Sequence, residues 1–283
     1  MKNFLFLLSF AFGILISSAQ KAPYVIYNTK GKKVTYKKML KTLEEKDMIL
    51  FGELHNNPIA HWLQFELTSD LFLKKPLILG AEMIEADNQN ELNAYLAEEI
   101  DAKALDTVAR LWPNHKTDYA PLVDFAKENE LVFVATNVPR RYASMVYKGG
   151  FETLDSLSTK EKSWIAPLPI TYDPELPGYQ NILKMMGDHG SPTLVMAQAI
   201  KDATMAHFIL ENYKENSLFM HYNGAYHSNN YEGILWYLML ERPDLAYGTI
   251  STVTQEDVHQ LAEENLGIAD FIICVDKNMT TTY

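Results

Sequence analysis

Cysteine is almost absent from this chain of 283 residues, which contains only Cys274. A single thiol excludes an intrachain disulfide framework and any zinc or iron–sulfur site built from several cysteines. An excess of basic residues is absent as well, because 25 Lys and Arg stand against 36 Asp and Glu, a formal net charge of −11. Such an acidic chain is a poor candidate for binding nucleic acid or an anionic membrane.

Several common functional motifs are also missing. The sequence contains no Walker loop, no Gly-x-Ser-x-Gly elbow, no dinucleotide fingerprint and no Cys-x-x-Cys-His haem attachment motif. No segment beyond the first twenty residues is apolar for long enough to span a bilayer. The residues that carry the function must therefore be sought outside these motifs.

The first nineteen residues have the pattern of a secretory signal peptide. Lys2 gives a positive start, and the 13 residues from Phe4 to Ile16 are almost wholly apolar. Ser17-Ser18-Ala19 then forms a small-residue cleavage pattern. Because 13 residues are too few to cross a bilayer, the pattern favours a cleaved signal over a membrane anchor. The sequence predicts an exported chain, mature from Gln20 and confined to the periplasm or secreted.

Apolar runs and helical patterns alternate along the rest of the chain. The runs that predict strands are Met48–Phe51, Leu77–Ala81, Leu131–Ala135, Leu218–Met220, Tyr247–Val253 and Phe271–Val275. Amphipathic patterns between them predict helices, the clearest at Pro58–Phe72 and Pro192–Tyr213. Continuous apolar strands separated by helices predict an α/β fold with a mainly parallel sheet covered on both faces.

Residues 150–191 do not continue the alternation of strands and helices, because they contain several prolines and glycines. Aromatic and methionine side chains, among them Tyr172, Tyr179, Met185 and Met186, stand between the prolines. We therefore expect one domain over residues 20–283, with an irregular or helical insert at about 150–191.

Polar side chains follow four of the predicted strands. In a parallel α/β sheet, ligands bind outside the carboxyl ends of the strands. The residues at these ends are Glu53 and His55, Glu82, Arg140 and Arg141, and His227. Taken singly, each has an ordinary structural interpretation, such as a helix cap or an ion pair between Glu82 and Arg140. Two Gly-x-x-His turns, each directly after a strand, favour a shared functional site, because glycine lets the backbone turn sharply and approach a ligand.

Two kinds of chemistry fit this set of residues. His55, Glu82 and His227 are of the types that bind a divalent metal. Alternatively, His55 acts as a general base oriented by Glu82, while Arg140 stabilises an oxyanion. His61 shares its helix face with Gln64 and Thr68, so we expect it to be solvated.

The motifs resemble those of the ChaN-like family of haem-binding uptake proteins, within the Tiki, TraB and erythromycin-esterase superfamily. The matching stretches are Leu50–Pro58, Gly80–Met83, Phe133–Arg140, Ala197–Ala206 and Gly224–His227. The resemblance implies a three-layer α/β/α fold, haem binding in iron uptake and dimerisation around stacked haems. Many ChaN-like proteins carry a lipid-anchoring cysteine after the signal peptide, whereas Ala19-Gln20 stands here, so a lipoprotein is not expected.

Haem requires an apolar slot, cations for its propionates and an axial ligand, for which tyrosine and histidine both serve. In the predicted insert, Tyr172, Tyr179 and His189 are the candidate axial ligands, and Arg141 or Arg140 is a candidate for a propionate.

The related branches offer a second interpretation, a metal-dependent or Glu/His hydrolase acting on a peptide or an ester. This alternative uses Glu53, His55, Glu82, Arg140 and His227. A third interpretation is a scaffold whose ancestral site has lost its activity. From the residues alone, whether the chain is an enzyme remains open.

Overall fold

A computed structural model describes residues 21–283. The predicted signal peptide, residues 1–19, lies outside the described residues. Within the described part of the chain, no helix combines the length and the apolar character needed to cross a bilayer.

Eight strands form one sheet. They are β1 (Tyr24–Asn28), β2 (Lys33–Val34), β3 (Met48–Glu53), β4 (Leu77–Glu85), β5 (Val132–Asn137), β6 (Leu218–Gly224), β7 (Tyr247–Gln255) and β8 (Phe271–Asp276). Their order across the sheet is β2-β1-β8-β7-β3-β6-β4-β5. The six strands from β8 to β5 run parallel to one another, while β1 pairs antiparallel with both β8 and β2 at one edge. The prediction of a mainly parallel sheet is confirmed.

Ten α-helices accompany the sheet in the described part of the chain. They are α1 (Tyr36–Leu43), α2 (Pro58–Phe72), α3 (Gln89–Leu96), α4 (Ala102–Val108), α5 (Ala120–Glu128), α6 (Arg140–Gly149), α7 (Thr159–Lys162), α8 (Pro177–Met186), α9 (Pro192–Asn212) and α10 (Ile234–Glu241). The predicted helices at Pro58–Phe72 and Pro192–Tyr213 are confirmed as α2 and α9. Asn57 and Ser191 cap them by accepting backbone N–H groups, and both helices carry proline in the first turn.

The two faces of the sheet bury separate apolar clusters. In β3, Ile49 and Phe51 point to the side covered by α1, α2, α3 and α5. Met48 and Leu50 point to the opposite side, where α9 and α10 pack. Successive side chains of a strand alternate between faces, so a strand buried on both sides is apolar throughout. The result is the expected three-layer α/β/α arrangement.

The segment 150–191 contains α7 and α8, joined by an irregular stretch. Tyr179 of α8 is buried against Val195 and Ala199 of α9, so this segment is packed on the main body of the protein.

The carboxyl ends of β3, β6 and β4 meet at one edge of the sheet. Glu53, the last residue of β3, is paired in register with Gly224, the last residue of β6. The backbone N–H of Gly224 donates to Oε2 of Glu82 in β4 at 2.7 Å. Three of the four predicted strand ends are thereby held within hydrogen-bonding distance of one another.

Candidate functional site

An open pocket of about 840 Å³ lies at this edge of the sheet. The structure brings together in its wall all five residues predicted for catalysis: Glu53, His55, Glu82, Arg140 and His227. Residues that the sequence did not indicate also contribute to the wall, including Trp112, Asn137, Ile182, Gln198, Lys201, Tyr226 and Tyr283.

Glu53 is fully buried and serves as the acceptor for three side chains. Its Oε1 accepts from the hydroxyl of Tyr119 at 2.7 Å and from Nδ1 of His55 at 2.8 Å. Its Oε2 accepts from the amide of Gln64 at 2.5 Å. Glu53 thus fixes the imidazole of His55 by its Nδ1 atom, rather than capping the following helix.

His55 is the more accessible partner of this pair, with a third of its side chain exposed. Its ring lies edge-on to Trp112, with centroids 4.8 Å apart. Burial disfavours the charged imidazole, but the hydrogen bond to Glu53 and the charges of Glu82 and Glu53 outweigh it and raise the pKa of His55. With Nδ1 held by Glu53, Nε2 is the nitrogen left to act on a ligand.

A second cluster is buried directly beside the first. Nδ1 of His227 lies 2.5 Å from Oδ1 of Asp202 in α9, and Nε2 lies 3.3 Å from Oε1 of Glu82. Burial favours neutral imidazole, yet the charges of Glu82 and Asp202 raise the pKa of His227 to about 10. Although burial also favours a neutral acid, the charges of His227 and His55 keep the pKa of Glu82 well below its ordinary value. Burial also raises the pKa of Asp202, against the opposing charge of His227. His227 is therefore a buried cation that bonds two buried acids.

This raised pKa predicts how stability depends on pH. The folded-state pKa of His227 is about 10, above its ordinary value of 6.5. The proton that it binds therefore stabilises the fold fully below pH 6.5, and this contribution is lost as the pH rises through about 10. We expect the free energy of unfolding, measured by urea denaturation, to fall over this interval. In His227→Gln the fall should be clearly smaller, and equal slopes in the two proteins would contradict the prediction.

The two neighbouring arginines have different surroundings. Arg140, the first residue of α6, is exposed and lines the pocket. Arg141 turns away, where its guanidinium bonds Asp87 at 2.6 Å and the hydroxyl of Tyr142 at 2.9 Å. Of this pair, only Arg140 reaches the pocket, so the placement of Arg141 does not favour its predicted role at a propionate.

The predicted axial ligands of haem lie outside the pocket wall. Tyr179 is only 3% exposed and donates to Oδ2 of Asp202 at 3.1 Å. Tyr172 packs against Phe151 and Tyr179, and His189 lies exposed in the turn Gly187–His189. Their predicted part in haem binding remains a prediction that this geometry does not favour. The segment instead contributes Ile182, Met185 and Met186 to the wall.

Of the predicted metal ligands, Glu82 and His227 contact each other, while His55 is held by Glu53. Within residues 21–283, no three or more His, Cys, Asp and Glu side chains are arranged to hold a metal ion. Both nitrogens of His227 face carboxylates, and Oε2 of Glu82 accepts from the backbone of Gly224. Metal binding by these residues remains a prediction.

His61 corrects one expectation, because it is buried rather than solvated. Its Nε2 lies 3.0 Å from the backbone oxygen of His55, and its Nδ1 lies 3.2 Å from Oε1 of Gln64. The polar face of α2 covers the buried side of the site, so Gln64 and Thr68 are buried as well. His61 thereby supports the loop that carries His55.

The glycines of the two Gly-x-x-His turns have a different role from the expected one. Gly52 lies within β3, and Gly224 ends β6 with φ at −60°, a conformation open to any residue. Both positions require a residue without a Cβ atom, because neighbouring atoms lie too close. A Cβ atom on Gly224 would lie 2.8 Å from Nε2 of His55, and one on Gly52 would lie 2.9 Å from the backbone of Ala225. Close packing, rather than a sharp turn, calls for glycine here.

Comparison with known proteins supports the same family as the motifs. The family described as "Haem-binding uptake, Tiki superfamily, ChaN" matches residues 39–238. Among solved structures, a ChaN protein of Campylobacter jejuni, described with cofacial haem binding, aligns with a TM-score of 0.67 at 18% identity. This alignment covers 89% of this chain and 97% of that one.

A mutant of the erythromycin esterase EreC, in its open conformation, aligns with a TM-score of 0.51 at 9% identity, covering 90% of this chain and 99% of that one. At such identities these likenesses show a shared fold. None of the curated proteins matches the chain. The family match covers most of the chain and confirms the resemblance seen in the motifs: the protein belongs to the ChaN family of the Tiki superfamily, the haem-binding uptake family.

Proposed function

We propose that this chain binds haem in the pocket beside His55 and takes part in haem or iron uptake as an exported protein. One observation carries the proposal: three large apolar or aromatic side chains stand exposed around a pocket that also holds a histidine and an arginine. Met185 is 68% exposed, Tyr226 62% and Met186 44%. Soluble proteins seldom expose such a group of side chains unless it meets a ligand or a partner.

The pocket residues fit the requirements of haem. Met185, Met186 and Ile182 supply apolar surface, while Arg140 and Lys201 supply cations for two propionates. The phenol of Tyr226 and the imidazole of His55 are both groups that ligate haem iron. The hydroxyl of Tyr226 donates to the thioether of Met185 at 3.6 Å, which is a weak hydrogen bond. Bound haem would supply the iron that such a protein carries.

The comparisons support this proposal. The family to which the chain belongs is described as haem-binding, and the similar protein of Campylobacter jejuni is described with cofacial haems. An open pocket leaves one face of a bound planar ligand uncovered, which suits two chains meeting face to face. We therefore propose a haem-loaded homodimer. Light scattering with and without haemin tests this assembly, and a monomeric mass in both states would contradict it.

A haemin titration of residues 20–283, followed by absorbance, tests the function. We expect a saturable red shift of the Soret band. Tyr226→Phe removes one candidate ligand and His55→Ala the other, so one of these variants should change the position of the band. Tyr147→Phe is the matched control, because Tyr147 is half exposed on α6 and lies outside the pocket wall. Absence of a saturable shift in the unaltered chain would refute the proposal.

Export is tested separately, by expressing the full chain in a bacterium with a periplasm. We propose cleavage after Ala19 and release as a soluble chain beginning at Gln20. Amino-terminal sequencing of the product in the periplasmic fraction checks both points. An uncleaved chain retained in the cytoplasm would contradict export.

The pairing of His55 with Glu53 favours a second candidate function, hydrolysis. A carboxylate that holds Nδ1 of an accessible imidazole leaves Nε2 oriented to accept a proton from water or from a nucleophile. The buried cation at His227 and the exposed Arg140 would offset negative charge that develops in the pocket. A screen of ester and peptide substrates tests this candidate. Turnover by the unaltered chain that disappears in His55→Ala would support it, and absence of turnover across the screen would refute it.

A further inference from the structure

The last residues of the sequence lie at the rim of the same pocket. β8 runs parallel to β7, and β7 runs parallel to β3, so the chain leaves β8 at the edge of the sheet where Glu53 stands. Two strand spacings, about 10 Å, separate β8 from β3. The six residues from Lys277 to Thr282 reach up to about 20 Å when extended, so they span this gap with length to spare.

Two hydrogen bonds hold this segment at the site. The backbone N–H of Thr282 donates to the backbone oxygen of Asn56 at 3.0 Å. Its hydroxyl donates to Oδ2 of Asp118 at 2.8 Å. Asp118 also accepts from the amide of Asn114 at 2.7 Å, and the same amide donates to the backbone oxygen of His55. The segment is therefore attached to the loop that carries His55.

Tyr283 follows these anchor points and lines the pocket. The residue is 66% exposed, so the fold itself does not require its ring there. Partial burial, followed by the charges of Asp118 and Glu53, raises the pKa of its phenol above the ordinary value. An aromatic ring exposed at the mouth of a pocket is suited to apolar contact with a planar ligand.

We infer that Tyr283 is a ligand-contacting residue of this pocket, whose ring packs against a large planar ligand and is held in place by Thr282. The inference rests on the proposed haem function, because a porphyrin is the planar ligand it assigns. Tyr283 stands on the His55 side of the pocket, whereas Met185 and Met186 come from α8. A ligand in the pocket would therefore contact apolar side chains from two separate parts of the chain.

Titrations with haemin and with iron-free protoporphyrin IX test this role. Because aromatic packing does not need the iron, Tyr283→Ala should weaken both ligands about tenfold. Tyr283→Phe keeps the ring and should bind both as the unaltered chain does. Tyr147→Ala is the control for loss of an exposed tyrosine elsewhere and should bind both normally. Thr282→Val removes the bond to Asp118 and should weaken both ligands, but less than Tyr283→Ala.

The outcomes separate this inference from the proposed function. If the unaltered chain binds neither porphyrin, the haem function fails and the role of Tyr283 fails with it. If the unaltered chain binds both and Tyr283→Ala binds them equally well, haem binding stands and the role of Tyr283 is overturned. A loss in Tyr283→Phe as large as in Tyr283→Ala would also overturn it, because the hydroxyl and not the ring would then make the contact.

Discussion

Replacing His227 by glutamine is expected to lower the free energy of unfolding by about 3–5 kcal/mol. The imidazolium lies between Glu82 and Asp202, and all three side chains are buried. Glutamine has a similar length but no charge, so it leaves the two buried acids without the cation between them. Removing one member of a buried ionic group costs far more than the group contributes as a whole, because the remaining charges stay desolvated.

A double-mutant cycle shows whether charge is the cause. Glu82→Gln combined with His227→Gln should cost less than the sum of the two single changes, because the second change removes a charge that the first had left unpaired. His259→Gln is the matched control, since His259 is exposed, and it should stay within about 0.5 kcal/mol of the unaltered chain. Urea unfolding measures all four variants. A cost below about 1 kcal/mol for His227→Gln would refute the buried cation.

The fold was predictable because its strands are buried on both faces. A run such as Leu77–Ala81 is apolar without interruption, which is typical of a covered parallel strand. Because every residue in such a run is apolar, the sequence does not show which face of the sheet each side chain points to. Nothing in the run Met48–Phe51 distinguishes Ile49, which faces α2, from Leu50, which faces α9. Strand order is likewise set by packing between distant segments, which a local pattern does not record.

The candidate site was predictable as far as it depends on strand ends. Parallel strands bring their carboxyl ends to one edge, so Glu53, Glu82 and His227 meet there. Asp202 was missed, although the sequence contains its signal. It shares a helix face with Val195, Ala199 and Ala206, so it is a single acid on a stripe that must be buried. A buried acid requires a partner, and His227 is that partner.

The roles predicted for the 150–191 segment depended on tertiary contacts that no pattern encodes. Tyr179 and Met185 both belong to α8, yet one is buried on α9 and the other is exposed at the pocket. Six residues along a helix turn through about 600°, which leaves the two side chains about 120° apart around the helix axis, on different faces. The side of Tyr179 faces the body, where its ring packs on Val195 and Ala199 and its hydroxyl donates to Asp202. The sequence showed aromatic and methionine residues there but not their direction.

Alanine is expected to have different effects at the two glycines of the Gly-x-x-His turns. Gly52→Ala should lower the stability of the fold, whereas Gly224→Ala should displace His55. In Gly52→Ala the new Cβ would lie 2.9 Å from both Cα of Ala225 and the backbone oxygen of Ile250. Backbone atoms inside a sheet do not move aside cheaply, so we expect a loss of about 1–3 kcal/mol in the free energy of unfolding. A change in stability below about 0.5 kcal/mol would contradict this expectation.

In Gly224→Ala the new Cβ would meet only a side chain. It would lie 2.8 Å from Nε2 and 2.9 Å from Cε1 of His55, while Oε2 of Glu82 stays at an ordinary 3.5 Å. The side chain of His55 is a third exposed and gives way more cheaply than backbone, so the fold should persist while the imidazole is displaced from Glu53. Because a shift of about 1 Å in a functional group costs up to about a hundredfold in rate, function should suffer where stability does not.

The pKa of His55 reports this displacement without any ligand. In the unaltered chain the hydrogen bond to Glu53 and the charges of Glu82 and Glu53 raise that pKa. Once the imidazole leaves Glu53, the pKa should fall, and a histidine NMR titration measures the change, with His55→Ala identifying the signal. An unchanged pKa in Gly224→Ala would show that His55 is not held where the pairing with Glu53 places it. The hydrolytic role and the part of His55 in haem binding both depend on that position, so this titration bears on both before a ligand is known.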